Sequence, residues 1–193
     1  MKNRSTKFVF LAVIGFLCLA CLVSRSEART VTDMYGRQFR LPDRSLRVYS
    51  ASPPDTFLLY ALDPTLLAGL NFPIREKDRK YMHRHVLKLP VVGGTFGEAF
   101  TPSLELLLRI DPDLVIVSND ETPLSLSVNA TLKKTAKPLL EMTLIRLSEY
   151  PAAFMRMGKL LGRESRAGKL SDYTRKTLAE AAKTVAAIPP GKR

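Results

Sequence analysis

A parallel α/β sheet layered between helices, with one long helix towards the C-terminal end, is the fold that three features of this 193-residue sequence predict. Residues 114–117, LVIV, are apolar at every position, the mark of a strand buried on both faces of a parallel sheet. Short apolar, β-branched runs alternate with stretches of helical periodicity, the order expected of βαβ units. Ala167, Leu170, Thr174, Leu178, Ala181, Val185 and Ile188 recur every three or four positions. That spacing makes 164–188 a single helix of roughly seven turns.

The N-terminus reads as a leader. Lys2, Arg4 and Lys7 precede an apolar run over 8–23, and Ser26-Glu27-Ala28 places small residues at the −3 and −1 positions of a cleavage site. This order is that of a secretory signal peptide occupying 1–28. A membrane anchor is the competing reading, but the apolar run is shorter than the ~20 residues of a spanning helix. Both cysteines, Cys18 and Cys21, fall inside it, so cleavage after Ala28 leaves no thiol for a disulfide or thiolate metal site. Lipidation at Cys21 is the alternative; the position three before it, where leucine is usual, holds Cys18.

Alternation around Met34-Tyr35-Gly36 predicts a hairpin over 30–41, and 46–50 the first core strand. Ser52-Pro53-Pro54-Asp55 opens a helix whose apolar positions are Phe57, Leu58, Tyr60 and Ala61, and Asp63-Pro64 stops it. Residues 66–70 read as a second strand ending in Asn71-Phe72-Pro73. The polar interlude 75–88 carries both histidines, His83 and His85. Two apart, they share a face only in a strand, and no cysteine or acidic cluster is near to complete a metal site; a solvated loop is the simpler reading.

Residues 90–119 form the centre of the chain. An apolar run at 89–92 closes on Gly93-Gly94, Thr101-Pro102 starts a helix with Thr101 as its cap, and Leu104, Leu107, Leu108 and Ile110 give it an apolar face. Asp111, restricted by Pro112, ends it before the 114–117 strand. A right-handed crossover would make the 89–92 and 114–117 strands parallel neighbours, with residues 94–100 and 118–121 at the carboxyl edge, where open α/β sheets bind ligands. Helices follow over 126–135 and from Ser148, which caps a helix burying Phe154, Met157, Leu160 and Leu161 until Gly162; a strand over 138–142 lies between them.

Apolar residues make up 46% of the chain, enough for a core, and the formal net charge is +12. Such a surface can attract nucleic acid, anionic lipid or an anionic ligand, although dispersed basic residues also simply solubilise. Aromatic residues are not interleaved with basic ones as a nucleic-acid stacking platform requires.

The sequence resembles the substrate-binding proteins of bacterial ABC importers for iron–siderophore complexes, haem and cobalamin. The likeness rests on Gly93-Gly94, on Pro102-Ser103-Leu104-Glu105-Leu106-Leu107, on Pro112-Asp113-Leu114-Val115-Ile116-Val117-Ser118, and on the opening TVTDMYGRQFRLPDRSLRVYSAS. It implies a Rossmann-like, three-layer lobe over 29–162, and over 163–193 a long connecting helix with the start of an inter-lobe linker, the second lobe being absent. It also implies capture of a metal chelate by a monomer outside the cytoplasm, in the periplasm or anchored there by lipid, with no cofactor, no nucleic acid and no catalysis. The implied ligand-binding residues are Ser52, Pro53, Phe72, Thr95, Phe96, Ser118 and Asn119. Glu105 would face an arginine of the membrane permease, although a carboxylate in a first helical turn has a sufficient structural reason.

A secreted α/β enzyme or nucleotide-binding domain using the same loops is the rival. It needs a general base or a phosphate cradle, and Gly93-Gly94-Thr95-Phe96-Gly97 lacks the G-x-G-x-x-G spacing with a helix directly after it.

Overall fold

Strand β4 (Leu114–Ser118) is buried at every position, and the lobe is assembled on it. Its alternation divides the core: Leu114 and Ile116 project into one apolar cluster, Val115 and Val117 into another. The computed structural model describes residues 28–32, 36–44, 46–95, 101–118, 122–142, 144 and 146–189. Residues 1–27 of the expected leader with both cysteines, the hairpin turn at 33–35, Phe96, Asn119 and residues 190–193 lie outside that set.

β4 pairs in parallel with β3 (Val48–Ser50), Val48 facing Leu114, and with β5 (Leu139–Met142), Val115 facing Leu139. On one face α1 (Pro53–Leu62) and α4 (Tyr150–Leu161) contribute Leu58, Leu59, Leu62, Phe154 and Met157. On the other, α2 (Leu104–Ile110) and α3 (Pro123–Lys133) contribute Leu107, Ile110, Val128 and Leu132. The result is the three-layer α/β/α lobe. Each fully buried leucine stabilises it by about 1.5–3 kcal/mol relative to exposure. Arg44 grips Asp113 through both guanidinium nitrogens at 3.0 and 2.7 Å, and the Arg47 amide donates to the same carboxylate at 2.8 Å, holding the starts of β3 and β4 level.

The segments expected as strands at 66–70 and 89–92 are reduced to isolated parallel bridges, Leu67 with Val48 and Leu70 with Val91. A 3-10 turn (Pro64–Leu66) consumes the start of the first, and Pro90 has no N–H for a ladder in the second. The expected adjacency of 89–92 and 114–117 is also corrected. Residues 67–70 and β3 stand between them, so the connection through α2 passes over both. Gly69 allows this: a Cβ there would lie 2.8 Å from Val92 Cγ2 and 3.1 Å from Ile110 Cδ1.

Three helix starts shift, and α3 begins at Pro123 behind a Thr122 cap rather than at 126. Ser103, not Thr101, caps α2, accepting from the Leu106 amide at 3.3 Å, because Pro102 keeps residue 101 extended and the Ser103 amide is taken by Val92 O at 2.8 Å. Ser148 sits inside a 3-10 turn (Leu147–Glu149), and α4 begins at Tyr150 with a proline in its first turn, where no N–H is missed. Asp111 does end α2, in the left-handed region at φ 43° that aspartate tolerates, with its carboxylate paired to Lys137. The polar interlude holds two further 3-10 turns (Glu76–Tyr81 and Val86–Lys88).

The N-terminal hairpin is present: β1 (Ala28–Thr32) pairs antiparallel with β2 (Gln38–Pro42), which inserts fully buried Leu41 into the first core cluster. Gly162 ends α4 at φ 68° and α5 (Glu164–Ala186) follows at once. Its 23 residues span about 35 Å at 1.5 Å per residue. Only Ala167 and Ser171 are buried, so the apolar stripe expected along its length is engaged in the first two turns, half-buried at Thr174 and Leu178, and exposed at Val185 (53%).

Candidate functional site

The carboxyl ends of β3 and of the 67–70 and 89–92 segments converge. Thr95 donates from its amide and hydroxyl to Ala51 O, at 2.7 and 3.1 Å, which ties the glycine turn to the end of β3. Gly94 lies so close to that carbonyl that a Cβ would overlap it and approach Asn71 Cβ to 2.7 Å. Gly93 adopts φ 104°, and its carbonyl accepts the Tyr49 hydroxyl. The described part of the glycine turn is therefore a packed joint. Burial pushes the Tyr49 phenol well above its ordinary range, so it remains a donor.

Ser52 is 5% exposed, and its carbonyl accepts from Ser50 Oγ, the Thr56 amide and Thr56 Oγ1 at 2.9, 3.0 and 3.1 Å. Thr56 in turn receives Asn71 Nδ2 at 3.0 Å, while the other amide atom of Asn71, Oδ1, is buried without a partner. Ser118, 7% exposed at the end of β4, takes Asn129 Nδ2 on its carbonyl at 2.8 Å. Thus Thr95 and Ser52 meet at one junction with Asn71, Pro53 opens the helix that leaves it, and Ser118 ends β4 along the same edge, while Phe72 lies against Phe57; Phe96 and Asn119 fall outside the described residues.

The sequence pattern counts Phe57 among the apolar positions of α1. It is 54% exposed, and Asp55 and Thr56 are buried instead. Asp55 contributes, after burial, to raising the Tyr150 phenol. Phe57 packs on Phe72 at 5.9 Å between ring centroids, and with Ile74, Tyr81 and Met82 they line an apolar cavity of about 520 Å³. The signal was present in PPDTFLLYAL, since Leu58, Leu59 and Leu62 already complete an inward stripe.

The histidines are engaged locally: His85 Nε2 lies 2.9 Å from Leu67 O, and His83 Nδ1 accepts the His85 amide at 3.3 Å. No group of three metal-ligating side chains occurs among the described residues. Glu105, in the first turn of α2, is 80% exposed and pairs with Arg109 at 2.8 Å, next to exposed Leu108.

No family model and no curated protein sequence matches the chain. Among solved structures it is similar to an ABC transporter solute binding protein from Sulfurospirillum deleyianum, at 31% identity and a TM-score of 0.75, over 86% of this chain and 52% of that one. It is similar also to a periplasmic heme binding protein from Pseudomonas aeruginosa (23% identity, TM-score 0.55, 74% of this chain and 47% of that one). A third is the siderophore binding protein BauB, solved with two acinetobactin molecules and ferric iron (17% identity, TM-score 0.60, 85% and 56%). At these last identities the likeness is one of fold. The chain spans about half the length of each of these structures, and it has the fold of a single α/β lobe, with its long helix, of the solute-binding proteins of ABC transporters.

Proposed function

We propose that this chain is the N-terminal lobe (29–162) and connecting helix (163–193) of an extracytoplasmic binding protein that delivers a metal chelate to an ABC importer, with 1–28 as its export signal. The observation that carries the reading is the coincidence of two things: the fold shared with solute-binding proteins, and loops gathered at the carboxyl edge of a parallel sheet. The Pseudomonas protein is a periplasmic heme binder and BauB holds a ferric siderophore, which supports an iron complex, haem, cobalamin or similar chelate as ligand and a location outside the cytoplasm.

The mechanism is capture. Serine, threonine and asparagine at the junction are neutral hydrogen-bonding groups, suited to orienting a ligand rather than activating it. In this reading Phe72 offers an apolar face to the organic part of a chelate and Thr95, Ser52 and Ser118 offer polar contacts, with Phe96 and Asn119 following Thr95 and Ser118 directly in the sequence. The basic surface favours an anionic complex. Glu105, exposed on the far side of α2, is the contact offered to a permease.

Calorimetric titration of residues 29–193 with haem, ferric siderophores and cobalamin tests this. One of them should bind, weaker than about micromolar because a single lobe covers one side of it, and Phe72→Ala should weaken it about tenfold. No binding of any of them at millimolar protein, or equal binding by the Phe72 variant, would sink the reading.

A further inference from the structure

A second cavity, of about 580 Å³, shares no residue with the cleft junction. It opens where β1 runs past the edge of β5, under α4. Its floor is apolar, built from Leu140, Met142, Met157 and Leu160, and its rim is cationic, built from Arg29, Arg156 and Lys159. Arg156 and Lys159 are three apart on α4 and therefore share a side.

The charges at this rim are unbalanced. Glu141 is held by Arg37 at 3.0 Å, which leaves Glu164 as the one other lining carboxylate. Among the described residues, Arg29, Arg156 and Lys159 have no carboxylate within ion-pair distance. Arg29 Nε is moreover buried without an acceptor, a donor whose hydrogen bond is missing inside the protein. A buried guanidinium donor beside two exposed cations calls for an anionic acceptor, and the floor below calls for an aliphatic body.

We propose that this cavity binds a small amphipathic anion, a carboxylate on a single aliphatic chain, with the carboxylate taken by Arg29, Arg156 and Lys159 and the chain lying along Leu140, Met157 and Leu160. The site is independent of the cleft, and it stands whether or not the cleft binds a chelate.

Decanoate, held below its micellar concentration, is the probe, titrated calorimetrically into the full chain. Saturable binding at one site is expected, with decanol at least tenfold weaker and decyltrimethylammonium giving no heat. Arg156 and Lys159 are exposed, so Arg156→Ala/Lys159→Ala should leave the circular dichroism spectrum and Tm unchanged while lowering decanoate affinity at least tenfold. Added salt should weaken the parent and barely affect the double variant. Absence of decanoate binding, decanol binding as tightly as decanoate, or full affinity in the double variant each overturns the proposal.

Discussion

Arg163 Nε donates to Asp63 Oδ2 at 2.7 Å across a hundred positions of sequence, joining the end of α1 to the junction of α4 and α5. The same carboxylate accepts the amide and hydroxyl of Thr65 at 2.9 and 2.6 Å. One side chain thus caps a turn and anchors the root of the long helix.

Burial pulls the Asp63 carboxyl upwards, but the hydrogen bonds from Thr65 and Arg163 outweigh it and hold the group below the usual carboxylate range. A depressed folded pKa contributes stability that is complete above the ordinary aspartate value of about 4 and is lost as pH falls through the folded one. Asp63→Ala should cost about 1–3 kcal/mol at pH 7. Its deficit should shrink in urea unfolding at pH 3 or below, and an unchanged deficit there would show that packing, not charge, is responsible.

Tyr49 titrates in the opposite sense. With the folded pKa raised by burial, its contribution is complete below the ordinary phenol value of about 10 and is lost as pH rises. In an alkaline absorbance titration, its phenolate should appear only together with unfolding. Tyr49→Phe should remove that late component and cost about 0.5–1.5 kcal/mol through the lost bond to Gly93 O. Early ionisation of this phenol in the folded protein would contradict its burial.

Gly94 and Gly168 make an opposed pair. A Cβ at Gly94 meets the Ala51 carbonyl and Asn71 Cβ, both parts of a packed joint that cannot give way, so Gly94→Ala should destabilise by about 1–3 kcal/mol or more. Gly168, within α5, has nothing within 4 Å of the added atom, and Gly168→Ala should stabilise by about 0.5–1 kcal/mol. Thermal unfolding of both variants checks the pair. A neutral Gly94→Ala would mean that the joint is soft.

Glu105→Arg should leave folding intact, since its ion pair with Arg109 is exposed and worth at most about 0.5 kcal/mol. Placed in a full-length binding protein, the substitution should abolish uptake while ligand affinity stays at the parental value, because like charges at a docking contact cost several-fold more than a surface pair. Uptake at the parental level would reduce Glu105 to a stabiliser of its helix.

Local pattern alone determined the class of this lobe. The unbroken apolar run of β4, the hairpin ahead of β3, the apolar stripe of α4 closed by Gly162 and the length of α5 are all short-range properties, and each is where periodicity placed it. Tertiary structure alone decided what lies next to what. The 89–92 segment sits three places away from β4, a choice made by how α2 packs on Gly69 and Val92, which no periodicity encodes. Phe57 turned outward onto Phe72 because three leucines of α1 already filled the core. The rim of Arg29, Arg156 and Lys159 draws on a strand and a helix more than a hundred residues apart, and the Asp63–Arg163 bond closes a loop of a hundred positions. Contacts of that kind follow from the packing of finished elements, whose geometry exists only after the chain has folded.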